Sequence, residues 1–274
     1  MGSGTGIAVR VDDGLAHLVM GSPPVNRFDE PFLEAIRDAV RDLPRDVRAL
    51  VVSSSVERIF AAGGDLHWMA VAPLDEQLRF VDLCQRTYSL FEEARYPVVA
   101  AIEGAALGGG LELALACDIR IVGADALLGL PEATIGLLAG AGGITRLVRA
   151  IGRGVAHDLL LTGRRLSADE ALAIGIASRA APAGGAADAA LALARVLADG
   201  PTEAIQATKR LAVVAGEGTI EDGLRREREA WAVVRRSATT QEGLEAFTEK
   251  RAPDFPAAAR RAAEPQSAAG DEPA

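Results

Sequence analysis

The chain has 274 residues, 49% of them hydrophobic, and its 38 acidic against 29 basic side chains leave a formal charge of −9. A chain of this size can bury a large core without disulfide staples, and its charge excludes the basic stripe with which a protein displaces counterions from nucleic-acid phosphates. Two cysteines, Cys84 and Cys117, are too few for a disulfide framework or a CxxC site, which fits small buried hydrophobes in a reducing compartment.

The start, Met1 to Gly6, reads as a flexible leader: Gly6 stands where a myristoylation signal needs Ser or Thr. No basic segment precedes an apolar one, and no uninterrupted apolar run reaches the ~18 residues that a bilayer crossing needs, so the expected location is cytoplasmic. Ile7 to Val11 and Leu15 to Met20 flank Asp12-Asp13-Gly14 and predict a β-hairpin. Asp29-Glu30-Pro31 then opens a helix carrying Phe32, Leu33, Ile36, Ala39 and Val40 at helical spacing, which stops near Leu43-Pro44.

Ala49 to Val52 reads as a buried strand, Leu74 to Glu93 as a long helix, and Pro97 to Ile102 as a fully apolar strand feeding a glycine-rich turn. Strands with no polar face belong to a sheet covered on both sides. Asp118 to Val122 adds another, so strands and helices alternate to about residue 180 and the fold class is α/β. The expected domains are a core over 7–185, a helical region over 186–256 broken at Gly200-Pro201 and Gly216 to Gly218, and a disordered tail over 257–274.

Three segments that follow strand-like runs carry candidate chemistry: Ala61-Ala62-Gly63-Gly64-Asp65, Gly108-Gly109-Gly110-Leu111-Glu112, and Leu130-Pro131-Glu132 running on to Gly140-Ala141-Gly142-Gly143. The triple glycine opens a helical pattern, so free N–H groups at a helix's positive end could converge on an anionic oxygen. A dinucleotide fold would need a third glycine where Leu113 stands, and would place Glu112 where a pyrophosphate needs room. A P-loop lacks its Gly-Lys-Ser/Thr. Glycines serving only close packing remain open, but Glu112 among Leu111, Leu113, Ala114 and Leu115 would be a costly burial without a purpose. His17, His67 and His157 have no metal-ligand spacing, no nucleophile elbow occurs, and no metal site is expected. His67 stays a candidate for a pocket wall because it follows the Gly64-Asp65 loop.

Ala106 to Arg120, Pro131-Glu132 and Gly140 to Gly143 together resemble the signature of the enoyl-CoA hydratase/isomerase (crotonase) superfamily. Phe60 to Asp65, Leu161 to Ala168 and Glu242 to Arg251 extend the resemblance over about residues 5 to 255. It implies a crotonase-type spiral of ββα turns, a C-terminal helical region that assembles trimers or hexamers, and an acyl-CoA thioester as substrate with no separate cofactor. It also implies that the N–H groups of Gly64 and Gly109 form an oxyanion hole. Glu112 and Glu132 would be the two glutamates of a hydratase, with Glu132 oriented by the Gly140 N–H; Ala139 replaces a proline usual in relatives.

By the same resemblance CoA would lie along Ala62, Asp65, Leu66 and Trp68, with Lys250 on a phosphate and Phe247 or Trp231 beside the adenine, while Trp68 and Met69 would line the acyl pocket. For Lys250, Phe247 and Trp231 the alternative of an exposed lysine and packed aromatics stays open, as does the packed face of a short helix for Trp68 and Met69. The chemistry expected is water added across a 2,3-double bond, Glu112 handling the water and Glu132 the C2 proton. A Δ3–Δ2 isomerase, another crotonase-fold acyl-CoA enzyme, or a non-catalytic CoA-binding protein are the alternatives.

Overall fold

The computed structural model describes residues 6–263. They fall into two compact units that part between Ala198 and Asp199. The first unit begins with the expected hairpin, β1 (Ile7–Asp12) antiparallel to β2 (Leu15–Met20). Asp13 and Gly14, at φ 40° and 76°, form its two-residue turn, a positive-φ pair that matches the twist of the strands. α1 (Glu30–Arg41) starts on the Asp29 carboxylate, which accepts from the Phe32 N–H at 2.9 Å, an N-cap that the sequence signals.

From there the chain repeats one step. β3 (Ala49–Ser54) enters a large sheet, β4 (Ile59–Ala61) a small one, and α2 (Leu66–Val71) with α3 (Leu74–Glu93) closes the turn. Next come β5 (Val98–Ile102), β6 (Ala105–Leu107) and α4 (Gly109–Ala116). The third turn has β7 (Ile119–Gly123), β8 (Leu127–Gly129), a 3₁₀ turn over Pro131–Ile135, α5 (Gly143–Ile151) and α6 (Arg153–Thr162). β9 (Leu166–Ser167), α7 (Ala168–Ala173), β10 (Arg179–Ala181) and α8 (Ala186–Ala198) complete the unit. The large sheet is ordered β1-β2-β3-β5-β7-β10 and the small one β4-β6-β8-β9, so the α/β spiral of ββα turns that the sequence implies is present.

This arrangement positions the site. β4, β6 and β8 are parallel neighbours, with Ala61 opposite Ala106 and Leu107 opposite Gly129. The three glycine- and acid-bearing segments leave the C-terminal ends of these strands and are therefore stacked along one edge of the small sheet.

The core boundary differs from the expected residue 185. α8 belongs to the first unit because Ala186, Ala190, Ala194 and Ala198 recur every four residues and are buried against Ala49, Val51, Val99 and Ile121 of the large sheet. Leu50, Val52, Val98 and Ile102 point to the opposite face and the main core, so these strands are buried on both sides, as their composition requires.

The second unit holds α9 (Thr202–Val214), α10 (Ile220–Val234), α11 (Ala238–Glu249) and α12 (Phe255–Ala263). α12 corrects the expected disordered tail over residues 257–263; the expected tail over 264–274 and the leader over 1–5 lie outside the described residues. α12 is held because Ala258 is buried, Phe255 packs on Gly243, and Glu242 of α11 accepts from Arg251 at 2.6 Å and from the Asp254 N–H at 2.8 Å. Those donors hold the Glu242 carboxyl down at about 2. No helix among the described residues is long and apolar enough to cross a membrane.

The alanine seam yields a test. Ala190→Leu should force a side chain into a closed helix–sheet contact and lower the unfolding free energy by about 1–3 kcal/mol, seen as a lower urea midpoint at unchanged slope.

Candidate active site

Leu107 ends β6, and Gly108, at φ 54°, turns the chain into α4. An L side chain is strained at this φ. Gly110 is required for a different reason: a Cβ there would stand 2.1 Å from the carbonyl oxygen of Ala61, so α4 can lie on the end of β4 only if residue 110 has no side chain. That close approach also brings the Gly63 loop against the start of α4, where a Cβ on Gly63 would be 3.5 Å from the Gly109 nitrogen. The Gly63 carbonyl is fixed by the Phe28 N–H at 2.9 Å. The Gly109 N–H opens α4 and so has no intrahelical acceptor. The Gly64 N–H makes no hydrogen bond among the described residues.

Glu112 lies in the first turn of α4 and is only 4% exposed. Its Oε1 accepts from the N–H groups of Ala141 and Gly143, at 2.8 and 2.9 Å. Burial pushes its carboxyl up to about 7; the charge of Glu132 also raises it, while the two N–H groups and Arg146 hold it down. Glu132 stands in the 3₁₀ turn after β8, with Oε1 close to Gly108 and Oε2 buried without a hydrogen-bond partner among the described residues. Burial raises its carboxyl too, partly offset by its own backbone N–H. The expected Gly140 contact is corrected: the 140–143 loop donates to Glu112, through Ala141 and Gly143, because it faces the first turn of α4.

A cavity of about 680 Å³ opens between this edge and helices α2 and α3. Glu112, Glu132, Gly64 and Gly109 all line it, as do Ala62, Leu66, Trp68 and Met69. The opposite wall is apolar, from Leu74, Leu78 and Val81 of α3 and Ile135, Leu137 and Leu138 beyond Glu132. Asp65 lies elsewhere, lining a neighbouring cavity of about 550 Å³. Its carboxylate caps α2 through the N–H groups of His67 and Trp68 and pairs with Arg27 at 2.9 Å, donors that hold its pKa down.

His67 is exposed on the first turn of α2 and lines neither cavity, which corrects its candidacy as a wall residue. Trp231, Phe247 and Lys250 belong to the second unit, where Trp231 and Phe247 are exposed and Lys250 ends α11 in a left-handed conformation. Sequence reading missed Cys84 and Tyr88, which line the cavity from α3. Burial pushes the Cys84 thiol up to about 12 and the Tyr88 phenol well above its usual range, so both stay neutral near pH 7. Only the α3 periodicity could have signalled them. Among the described residues no group of three or more His, Cys, Asp or Glu is placed to hold a metal ion.

This arrangement can polarise an oxygen at the two glycine N–H groups and move protons through two raised carboxyl groups. Comparison with known proteins identifies the family. Residues 10–258 match the family model described as enoyl-CoA hydratase/isomerase. The chain is 37% identical over 251 residues to the human enoyl-CoA hydratase domain-containing protein 2, mitochondrial, covering 89% of this chain and 86% of that one. It is 37% identical over 198 residues to the 2,3-dehydroadipyl-CoA hydratase of Escherichia coli, covering 72% and 77%. The crystal structure of an enoyl-CoA hydratase from Bacillus anthracis superposes with a TM-score of 0.87 at 32% identity, over 91% of this chain and 99% of that one.

Glu112 also links stability to pH. Folding raises its pKa from 4.5 to about 7, so the folded state holds more protons between those values, and stability falls as pH rises through this window. Glu112→Gln keeps an oxygen that can accept both N–H groups but carries no charge. It should be more stable than the parent protein at pH 8, by on the order of 1–3 kcal/mol, with the gap closing by pH 5 in urea unfolding. Equal midpoints at pH 8 would contradict a costly buried carboxylate.

Proposed function

The chain belongs to the enoyl-CoA hydratase/isomerase family, and within it we propose a hydratase that adds water reversibly across the 2,3-double bond of an enoyl-CoA thioester. The observation that carries this reading is that the buried carboxyl group of Glu112, the half-buried one of Glu132, and the glycines 64 and 109 with their N–H groups line one cavity.

The thioester oxygen takes the Gly64 and Gly109 N–H groups. As the water oxygen bonds to C3, negative charge moves from the double bond onto that oxygen, and donors of this kind contribute roughly 10²- to 10³-fold each. Ionised Glu112 accepts the water's proton; protonated Glu132 gives its own to C2. One water enters, one 3-hydroxyacyl thioester forms, and the proton has passed from one carboxyl group to the other. Since no electrons are gained or lost, the reaction so written needs no redox cofactor. Two facing carboxyl groups with raised pKa values share protons readily, because ionising one disfavours ionising the other. Assembly into a trimer or hexamer is part of the same reading, supported by Ile220, Trp231, Val233 and Phe247, which are between 67% and 84% exposed on α10 and α11. Light scattering at micromolar concentration should return a trimer or hexamer rather than a monomer.

Glu112→Gln and Glu132→Gln should each lower kcat on 2-enoyl-CoA substrates by roughly 10²-fold or more with KM within a few-fold, and the double variant should lose far less than the product of the two. In the parent protein, kcat should fall as pH drops through about 7, where Glu112 takes up its proton. Glu132→Gln activity within about threefold of the parent would sink the two-carboxylate mechanism. Double-bond migration without hydroxyacyl product would make the protein an isomerase instead.

A further inference from the structure

We propose that Arg146 is a positioning residue for the Glu112 carboxylate, which it holds by pinning the 141–143 segment from behind; the kinetic part of this inference rests on the hydratase reading above. Arg146 sits in the first turn of α5 and does not line the cavity. Its guanidinium turns back over the loop. Nη1 donates to the Ala141 carbonyl at 3.2 Å, while Nε and Nη2 donate to Glu92 Oε2 at 3.2 and 2.9 Å and Nη2 reaches Ser89 Oγ at 3.3 Å. Glu92 and Ser89 lie near the end of α3. The ion pair is well covered, with side chains 12% and 30% exposed.

Residue 141 is thus held on both sides. Its N–H donates to Glu112 and its carbonyl accepts from Arg146, and the Gly143 N–H supplies the second bond to the same carboxylate oxygen. Gly142, at φ 106°, leaves room for this: a Cβ there would stand 2.1 Å from Arg146 Nη1. The geometry calls for a planar fork that reaches a carboxylate and a carbonyl in different directions, which arginine supplies and a lysine ammonium does not.

The groups that face Glu112 are few. Glu132 approaches from the 3₁₀ turn, Cys84 and Tyr88 from α3, and Arg146 from α5; α4 itself carries no other charge. Arg146 is the cation among them. Its loss therefore removes both a mechanical anchor and a charge that favours the ionised carboxylate, and two substitutions separate these effects. Arg146→Lys keeps a charge and loses the fork, whereas Arg146→Met loses both.

Glutamate labelled with ¹³C at the side-chain carboxyl, with the Glu112 signal assigned by its loss in Glu112→Gln, reports the titration directly by NMR and does not depend on activity. Arg146→Met should move the Glu112 midpoint upward by roughly half a pH unit or more. It should also lower kcat by roughly 10-fold or more with KM within about threefold. Arg146→Lys should titrate near the parent midpoint while recovering only part of kcat. A folded Arg146→Met protein whose midpoint and kcat both match the parent overturns the inference. If that variant does not fold, Glu92→Gln removes the outer anchor and leaves the cation: kcat should fall several-fold without a rise in the midpoint, and kcat within about twofold of the parent overturns the inference. Should the parent hydrate no enoyl-CoA while the midpoint still moves in Arg146→Met, the hydratase reading fails and the positioning role stands.

Discussion

Glu112 sits in the first turn of a helix that otherwise offers leucine and alanine, and a lone carboxylate moved there from water would stay protonated well above neutrality. What brings it back to about 7 is a pair of N–H groups from the start of a second helix, α5. Gly143 is the first residue of α5, so its N–H has no acceptor within that helix. A carboxylate placed at a helix N-terminus also meets the positive end of its dipole. Burial and these donors oppose each other, and the small remainder leaves a group that can exchange protons at physiological pH. The placement of α4 against α5 is what maintains that balance.

That placement depends on small residues at the points of closest approach. Gly110 lets α4 lie on the carbonyl of Ala61, and the alanine face of α8 lets that helix lie flat on the large sheet. Interiors are packed closely enough that one added methylene is felt. Each turn of the spiral is set by its contact with the turn before. Errors in one contact would therefore shift the ends of β4, β6 and β8 relative to each other, and Gly64, Gly109 and the two carboxyl groups come from those three separate ends.

Much of this was legible in the sequence, for identifiable reasons. The bounds of α3, Leu74 to Glu93, follow from its periodicity, and the Asp13-Gly14 turn follows from the φ that this hairpin demands. Glu112 and Glu132 could be grouped because each follows a strand-like run and a break. Partners were harder to read. Alanines four apart in α8 announce a helix but not the surface it covers, and α12 is held by Glu242, Gly243 and Ala258 through contacts that composition does not display. The target of the 140–143 loop was misread for a similar reason: a glycine-rich loop near two acids does not say which one its N–H groups reach. Arg146 gave no signal beyond its spacing from Gly142.

The distribution of charge around the cavity ties these features together. Among the described residues no arginine, lysine or histidine lines it. A cation on that wall would stabilise an anionic oxygen, but it would also pull down the pKa values of Glu112 and Glu132 and leave neither able to carry a proton at neutral pH. Backbone N–H groups avoid this conflict, since they act over a short range on the one oxygen they face and lose little strength where water is excluded. The cation whose charge reaches Glu112, Arg146, stands behind the 141–143 segment with Glu92 beside it. Its field reaches Glu112 after partial neutralisation by that partner. Under the proposed hydration, the raised carboxyl groups, the glycine N–H donors and the cation set behind the loop meet one requirement, that protons move inside an apolar cavity without a fixed charge to trap them.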